Sequence, residues 1–255
     1  MKLVVNADDF GFSKSINRGI INAFKIGIVS STTIMMNMPS VNHAIKLYKE
    51  NIGLGLGVHL NITEGKPLEG KLYSLIKENG EFHSIHDFKQ LARTKQDQIY
   101  KELRAQINRL ISEGINPTHL DNHHFIHKFR NIRETIYTLA LEYNLPIRIC
   151  DVNHRNEARK LGIKTVDFLI DGFYKENATK EKLEKTVMDF PEYAVVELMT
   201  HPGYMDEDTM NRTEYNLSRE KEIQELKKFK EGGILNKLGI ELISYKYVKA
   251  NSNSC

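Results

Sequence analysis

The sequence predicts an α/β fold, a (β/α) barrel of divergent TIM type, and three observations favour it. Short apolar runs alternate with amphipathic helical segments along most of the chain, as in parallel strands joined by helices. About eight such strands fit within 255 residues, the size of one barrel domain. Aspartates and histidines follow several predicted strands, where parallel α/β folds carry their active groups. A doubly wound open sheet is the alternative.

The predicted strands are short apolar runs bounded by turn residues. They cover residues 3–7, 30–36, 54–60, 119–123, 147–150, 166–170, 194–199 and 240–244. The run at 3–7 is continuously apolar, which is typical of a parallel strand buried on both faces.

Helical segments separate these strands. They cover residues 15–26, a stretch from about 41, and residues 96–112, 131–142, 155–161, 180–189 and 217–231. In the long helix 96–112, Leu103, Ile107 and Leu110 fall on one face at helical spacing. We therefore assign these three residues to the core.

Residues 63–95 interrupt the alternation, with several glycines and little apolar periodicity. We interpret the segment as an insertion over the barrel rim, with a small hairpin at 78–83, inside a single catalytic domain of residues 1–255. The loop at 200–216 is also long and polar.

Composition and charge exclude several classes of partner. The net charge of +3 is spread along the chain with no basic block, so we expect no nucleic acid and no membrane, but a small-molecule substrate. The two cysteines, Cys150 and Cys255, cannot form a disulfide framework, and Cys255 lies on a Ser/Asn tail that we expect to be frayed. Because no apolar run reaches the length of a signal segment or membrane span, we expect a cytoplasmic protein.

The sequence THLDNHHFIH at residues 118–127 holds four of the ten histidines and one aspartate. If this segment ends a strand, its period of two places His119, Asp121 and His123 on one face and His124 on the other. Two imidazoles and a carboxylate on one face can bind a metal ion or orient its ligands. A surface histidine cluster is the alternative, but the interleaved apolar residues disfavour it.

Adjacent acids stand in the motif NADDFG at residues 6–11, directly after the first strand. Asp8 and Asp9 cannot point the same way, so one can bind a metal while its neighbour acts as a general base. An Asx-turn with a helix N-cap is the alternative.

Two further histidines follow strands. His59, in GVHLN at 57–61, is either a core residue or a third member of an Asp-His-His set with open coordination positions. His201, in THPG at 200–203, is held at the rim by the proline and glycine after it. There it is either a turn residue or a general acid that protonates a leaving amine.

Five motifs in series resemble those of the YdjC-like carbohydrate deacetylases, a family that includes chitooligosaccharide deacetylases. They are NADDFG at 6–11, STT at 31–33, GVHLNIT at 57–63, PTHLDNHH at 117–124 with His127, and MTHPGY at 199–204. The resemblance runs from residue 1 to about 245, in the family's order and at its spacings.

This resemblance implies a fold of the glycoside hydrolase and deacetylase type. It also implies an enzyme that removes acetyl groups from N-acetylated sugars. It implies one divalent metal ion, Mg²⁺ or Zn²⁺, with Asp9, His59 and His123 as ligands. Asp8 matches the proposed base that deprotonates a metal-activated water, and His201 matches the proposed acid that protonates the sugar nitrogen.

The resemblance also implies residues that orient the ligands or contact the substrate. They are His119, Asp121, His127, Arg148 and Tyr204. Where the family commonly has another histidine, this chain has Phe125, so we expect a change in substrate preference rather than in metal binding.

Family members tend to be dimers, which implies a homodimer here. Two other functions stay open: a metal-dependent hydrolase of another amide or of a phosphoester, and a non-catalytic metal or sugar binder.

Overall fold

A computed structural model describes residues 1–70, 72–213 and 215–248. Its strands are β1 (Lys2–Phe10), β2 (Ser31–Ile34), β3 (Gly55–Leu60), β4 (Leu120–Asn122), β5 (Phe168–Ile170), β6 (Val195–Thr200) and β7 (Glu241–Ile243). Its α-helices are α1 (Lys14–Ile26), α2 (Val41–Lys49), α3 (Phe88–Arg93), α4 (Gln96–Ser112), α5 (Arg130–Glu142), α6 (Val152–Lys160), α7 (Lys180–Met188), α8 (Glu207–Met210), α9 (Ser218–Glu231) and α10 (Ile234–Lys237). The predicted tail around Cys255 lies outside the described residues.

The strands form one parallel sheet centred on β1. Its order is β4-β3-β2-β1-β6-β5, and β7 pairs with the first residues of β1, while β2 pairs with the last ones. All of β1 after Lys2 is buried. The parallel α/β prediction is therefore confirmed, and the C-terminal ends of the strands meet at one rim.

The sheet curls into a half-barrel. Between β4 and β5, Ile147 makes single parallel bridges to Leu120 and Thr165. The prediction of a strand at 147–150 is therefore wrong. Within the described residues, Ile147 alone of this segment makes β-bridges. The closed ring of eight strands is not shown.

Amphipathic helices cover the sheet as their periodicity predicts. In α1, the side chain of Ser13 caps the helix by accepting from the backbone N–H of Ile16, and Ile16 and Ile20 are fully buried. In α4, the predicted apolar face is also fully buried. Each such side chain contributes about 1.5–3 kcal/mol through burial.

The segment 63–95 packs onto the polar side of α4. The carboxylate of Glu102 accepts from the backbone N–H groups of Leu68 and Glu69, and Gln98 accepts from Ser74. The predicted hairpin is a single antiparallel bridge between Ile76 and Phe82. Buried side chains of α4 thus fix the position of this segment.

In the described part of the chain, no helix combines the length and the apolar character needed to cross a bilayer.

Candidate active site

A cavity of about 670 Å³ opens at the C-terminal ends of the strands. Five predicted site residues line it: Asp8, Asp9, His59, His123 and His201. The segment 63–95 provides part of one wall through Ser84, Ile85 and His86, and Tyr174 and Tyr215 also line the cavity. Sequence motifs that are far apart along the chain therefore meet in one concave site.

The two adjacent aspartates at the end of β1 bind different partners. Asp9 has φ of 70°, in the left-handed region that non-glycine residues seldom adopt. Arg148 donates two hydrogen bonds to Asp8, at 2.6 and 2.7 Å, whereas Arg219 donates one to Asp9 at 2.6 Å. Burial raises the pKa of both carboxyls, but the arginines outweigh it, lowering that of Asp8 to about 2 and that of Asp9 well below its usual value. Both are ionised at neutral pH.

Asp9, His59 and His123 bring three potential ligand atoms together. Asp9 Oδ1 lies 3.2 Å from His123 Nδ1 and 3.5 Å from His59 Nε2, and these two nitrogens are 3.3 Å apart. Two atoms that bind one ion at about 2.1 Å each are separated by about 3.0 to 3.4 Å at right-angle or tetrahedral geometry. The spacing therefore fits a single divalent ion.

The surroundings of Asp9 also fit an ion. Its Oδ1 atom is buried and has no hydrogen-bond partner among the described residues. An orphaned buried carboxylate oxygen is costly unless a cation or solvent satisfies it. Since Arg219 holds the other oxygen, Asp9 presents one free oxygen towards the two histidines.

Asp121 orients His59. Its Oδ1 lies 2.7 Å from His59 Nδ1, and its Oδ2 accepts from Thr33 at 2.8 Å. Burial lowers the pKa of His59, but the charge and hydrogen bond of Asp121 outweigh burial and raise it to about 10. With Nδ1–H donated to Asp121, an ion that displaces the Nε2 proton would meet a lone pair directed towards Asp9 and His123, which is how carboxylates orient histidine ligands.

Arg148 lies beneath the site as its buried counter-charge. Besides Asp8, it pairs with Asp121 at 3.0 Å and with Glu197 at 2.7 Å. The Glu197 carboxylate also accepts a hydrogen bond from Tyr245. Removing one member of such a buried network costs several kcal/mol, because the remaining charges lose their compensation. Arg148 therefore compensates the charge of the buried carboxylates and does not line the cavity.

His201 begins the loop after β6. Its backbone N–H donates to Glu222 at 2.6 Å, and its Nε2 lies 3.8 Å from Asp8 Oδ2. Burial lowers its pKa to about 4 despite the charge of Asp8, so the imidazole is neutral at pH 7. Its Nδ1 is buried, with no hydrogen-bond partner in the described structure.

Sequence reasoning missed the part that α9 plays. Arg219 binds Asp9 and donates to the backbone oxygen of Tyr215, while Glu222 accepts from His201 and from the Tyr215 hydroxyl. Both charged residues are buried on the face of α9 that carries Ile223 and Leu226. Charged residues on an apolar helix face were the signal that could have revealed them.

His119 supports the site from behind. Its ring stacks on Tyr245 with centroids 3.7 Å apart, and its Nε2 lies 3.2 Å from the side-chain oxygen of Asn6. The side-chain nitrogen of Asn6 donates to Asp8 at 2.9 Å. A Cβ at Gly57 would lie 2.5 Å from the His119 ring. The glycine of the third motif is thus required for this close approach.

The five residues predicted to orient the ligands or contact the substrate, His119, Asp121, His127, Arg148 and Tyr204, do not line the cavity. Tyr204 is directed to α1, where its hydroxyl accepts from Asn22 at 2.6 Å. His127 is buried, with its Nδ1 against the amide of Asn122.

The expectation that His124 points away from the site is wrong. β4 ends at Asn122, and a 3₁₀ turn follows in which His124 and Phe125 have φ of 56° and 51°. Because of this kink, side chains after Asn122 no longer alternate between two faces as they do along a strand. The side chains of His124 and Phe125 both line the cavity. His124 Nδ1 lies 3.0 Å from the Thr63 hydroxyl.

The chain is similar to the proteins of one known family. A family model described as YdjC-like protein matches residues 2–231. The chain belongs to the YdjC-like family. Two relatives in this family are named carbohydrate deacetylase. That of Clostridium beijerinckii is 38% identical over 247 residues, 96% of this chain and 99% of that protein. That of Brevibacillus brevis is 39% identical over 225 residues, 88% of this chain and 90% of that protein.

A solved structure shares the fold of this YdjC-like chain. It is described as that of a candidate cellobiose-phosphate cleavage protein of Enterococcus faecalis V583. The TM-score is 0.90 at 28% identity, covering 96% of this chain and 97% of that one. The predicted family membership is confirmed.

Proposed function

We propose that this YdjC-like protein is a metal-dependent hydrolase that removes acetyl groups from N-acetylated sugars. The observation that carries the proposal is the Asp9–His59–His123 cluster, whose ligand atoms lie 3.2 to 3.5 Å apart at an open cavity. The relatives named carbohydrate deacetylase support the substrate class.

Asp9, His59 and His123 would hold the ion through one oxygen and two nitrogen atoms. Such a ligand set suits Zn²⁺ by softness and also accommodates Mg²⁺, so we propose one divalent ion of either kind. When bound, a divalent ion polarises a carbonyl and lowers the pKa of water.

In this proposal, Asp8 receives the proton of the attacking water. It is ionised, and Arg148 fixes both of its oxygens. Its neighbour His201 is neutral at pH 7 and therefore gains the proton that it later donates during the reaction. Asp8 Oδ2 lies 3.8 Å from His201 Nε2, so a small approach of the two side chains brings them within hydrogen-bond distance, and the proton then passes from Asp8 to His201 and on to the leaving sugar nitrogen.

The cavity walls suit a sugar. Tyr174 and Tyr215 stack on each other beside His201, and Phe125 lies on another wall. Apolar ring faces of this kind bind the faces of sugar rings. We expect Phe125 to influence which sugar is accepted.

The single domain, the closed barrel, the cytoplasmic location and the homodimer stay predictions.

The test is release of acetate from N-acetylated chitobiose with the metal present and after chelation. We expect release that chelation abolishes and that added Zn²⁺ or Mg²⁺ restores. Undiminished release after chelation and verified metal removal would contradict metal dependence. Absence of release with the metal bound, and with longer chitooligosaccharides as well, would favour hydrolysis of another bond or a binding function.

A further inference from the structure

A second cluster of potential ligands lies behind the cavity. One ring nitrogen of His127, one of His154 and the sulfur of Cys150 all lie within 4.8 Å of one another. The two rings face each other with centroids 4.7 Å apart, and Cys150 Sγ lies 3.5 Å from His154 Nδ1. We propose that these three residues bind a second metal ion, of the zinc type, which is independent of the deacetylation site.

The imidazoles are enclosed but incompletely satisfied. His127 and His154 are only 1% and 3% exposed, and each has a buried Nε2 without a hydrogen-bond partner in the described structure. Buried ring nitrogens normally have a partner, so the unsatisfied Nε2 of His127 indicates a missing one, which an ion bound also to Cys150 and to His154 Nδ1 would supply. Cys150 is half-buried, which gives an ion access from solvent.

The ligand types select the ion. A thiolate and two imidazoles favour Zn²⁺ over Mg²⁺, which prefers oxygen ligands. Two atoms bound to one tetrahedral zinc, at about 2.3 Å for sulfur and 2.1 Å for nitrogen, are about 3.6 Å apart. The 3.5 Å between Cys150 Sγ and His154 Nδ1 matches this value. Three protein ligands leave the fourth position to water.

Binding requires a defined exchange of protons and hydrogen bonds. The Cys150 thiol releases its proton to solvent as the sulfur–zinc bond forms, and no electron is transferred. The ion displaces the hydrogen bond that the Cys150 backbone N–H donates to His154 Nδ1 at 3.1 Å. If the Asn122 amide turns over, its oxygen accepts from His127 Nδ1 and frees the Nε2 lone pair.

The position of this cluster gives it a structural consequence. His127 lies one residue before the end of the 3₁₀ turn His123–Lys128, and Cys150 follows Arg148 by two residues. A bound ion would tie this turn to the segment after Ile147, where strand pairing is limited to a single residue. We therefore expect the ion to stabilise the fold beside the active site.

Cobalt substitution tests the proposal without reference to activity. Co²⁺ bound by a thiolate has an intense charge-transfer absorption that nitrogen and oxygen ligands lack, so the cavity site is silent in this measurement. We expect this band in the wild type, in Cys255→Ser and in His59→Ala, and its loss in Cys150→Ser. His154→Asn should weaken Co²⁺ binding at this site at least tenfold.

A second measurement covers variants that fold poorly. Zn²⁺ should slow alkylation of Cys150 by iodoacetamide at least tenfold in the Cys255→Ser protein, whereas Mg²⁺ should not. A wild-type protein that lacks the thiolate band and whose alkylation rate is unchanged by Zn²⁺ overturns the proposal. So does a band that persists in Cys150→Ser.

Discussion

Two clusters lie near the two ends of the turn after β4: the cavity cluster of Asp9, His59 and His123, and the rear cluster of His127, Cys150 and His154. The net pKa shifts of His59 in the first and of His154 in the second are in opposite directions. In the cavity cluster, the carboxylate of Asp121 overrides burial and raises the pKa of His59 to about 10. In the rear cluster, burial and the charge of Arg133 outweigh the charges of Asp151 and Glu157 and lower the pKa of His154 to about 4, and burial lowers that of His127 well below its usual value. A carboxylate in hydrogen-bond contact with the ring, as Asp121 is with His59, therefore outweighs burial, whereas more distant carboxylates do not.

The same difference separates the ions that the clusters suit. Asp8, Asp9 and Asp121 surround the cavity cluster with negative charge, which attracts a divalent ion of either the hard or the borderline kind. The rear cluster offers two neutral imidazoles and a thiol, which exclude Mg²⁺ in favour of Zn²⁺. Four experiments sharpen or break this comparison.

The largest effect is expected from His123→Ala. Because this change removes one of three ligands at the cavity, we expect loss of the metal there and a fall in acetate release of about a thousandfold or more. Acetate release and the metal content after dialysis measure both effects. A variant that keeps the metal and most of its activity would exclude His123 as a ligand.

A smaller loss is expected from Asp8→Asn. The amide cannot accept the proton of water, so kcat should fall about a hundredfold or more while metal binding is retained. Titration with the metal separates the two effects, and a stability measurement detects loss of the Arg148 ion pair. A fully active Asp8→Asn protein would contradict the role of Asp8 as base.

Asp121→Asn tests how the carboxylate orients His59. Without it, His59 loses the partner that fixes its Nδ1 proton, and affinity for the metal should fall about 10- to 100-fold. Thr33→Val is the matched control, since it removes one hydrogen bond to Asp121 and leaves the charge. Equal metal affinity in wild type and Asp121→Asn would refute this role.

The smallest effect concerns the rear cluster and the pH dependence of stability. The pKa of His154 is about 4 in the folded protein and about 6.5 in the unfolded chain, so the unfolded chain binds the proton first as pH falls. Between these two pKa values, each unit by which the pH falls therefore lowers the free energy of unfolding by about 1.4 kcal/mol through His154.

His154→Asn should remove this share of the slope while keeping an acceptor for the Cys150 backbone N–H. Urea unfolding across the range, with a chelator present, measures the difference. Identical slopes for wild type and variant would show that the pKa of His154 is not depressed.

The sequence anticipated the elements that carry strong local signals. The predicted helix at 96–112 has the bounds and the buried face that the structure shows. The bounds of β3 and β6 lie within one residue of those predicted, whereas β1 extends beyond its predicted end to Phe10. The strand at 147–150 failed because an apolar run does not reveal whether a neighbour lies within hydrogen-bonding distance. The direction of His124 failed because a backbone kink, rather than side-chain pattern, ends β4.

By itself, the sequence determined the family, the parallel α/β class and the acids and histidines that stand after the strands. Each of these depends on residue type and on spacing along the chain, which can be read locally. Only the tertiary structure decided that Arg148 binds Asp8, that Arg219 binds Asp9, and that Glu222 holds His201. These pairings join residues from 21 to 210 positions apart. Spacing along the chain does not encode them, because they form only when the strands and α9 pack together.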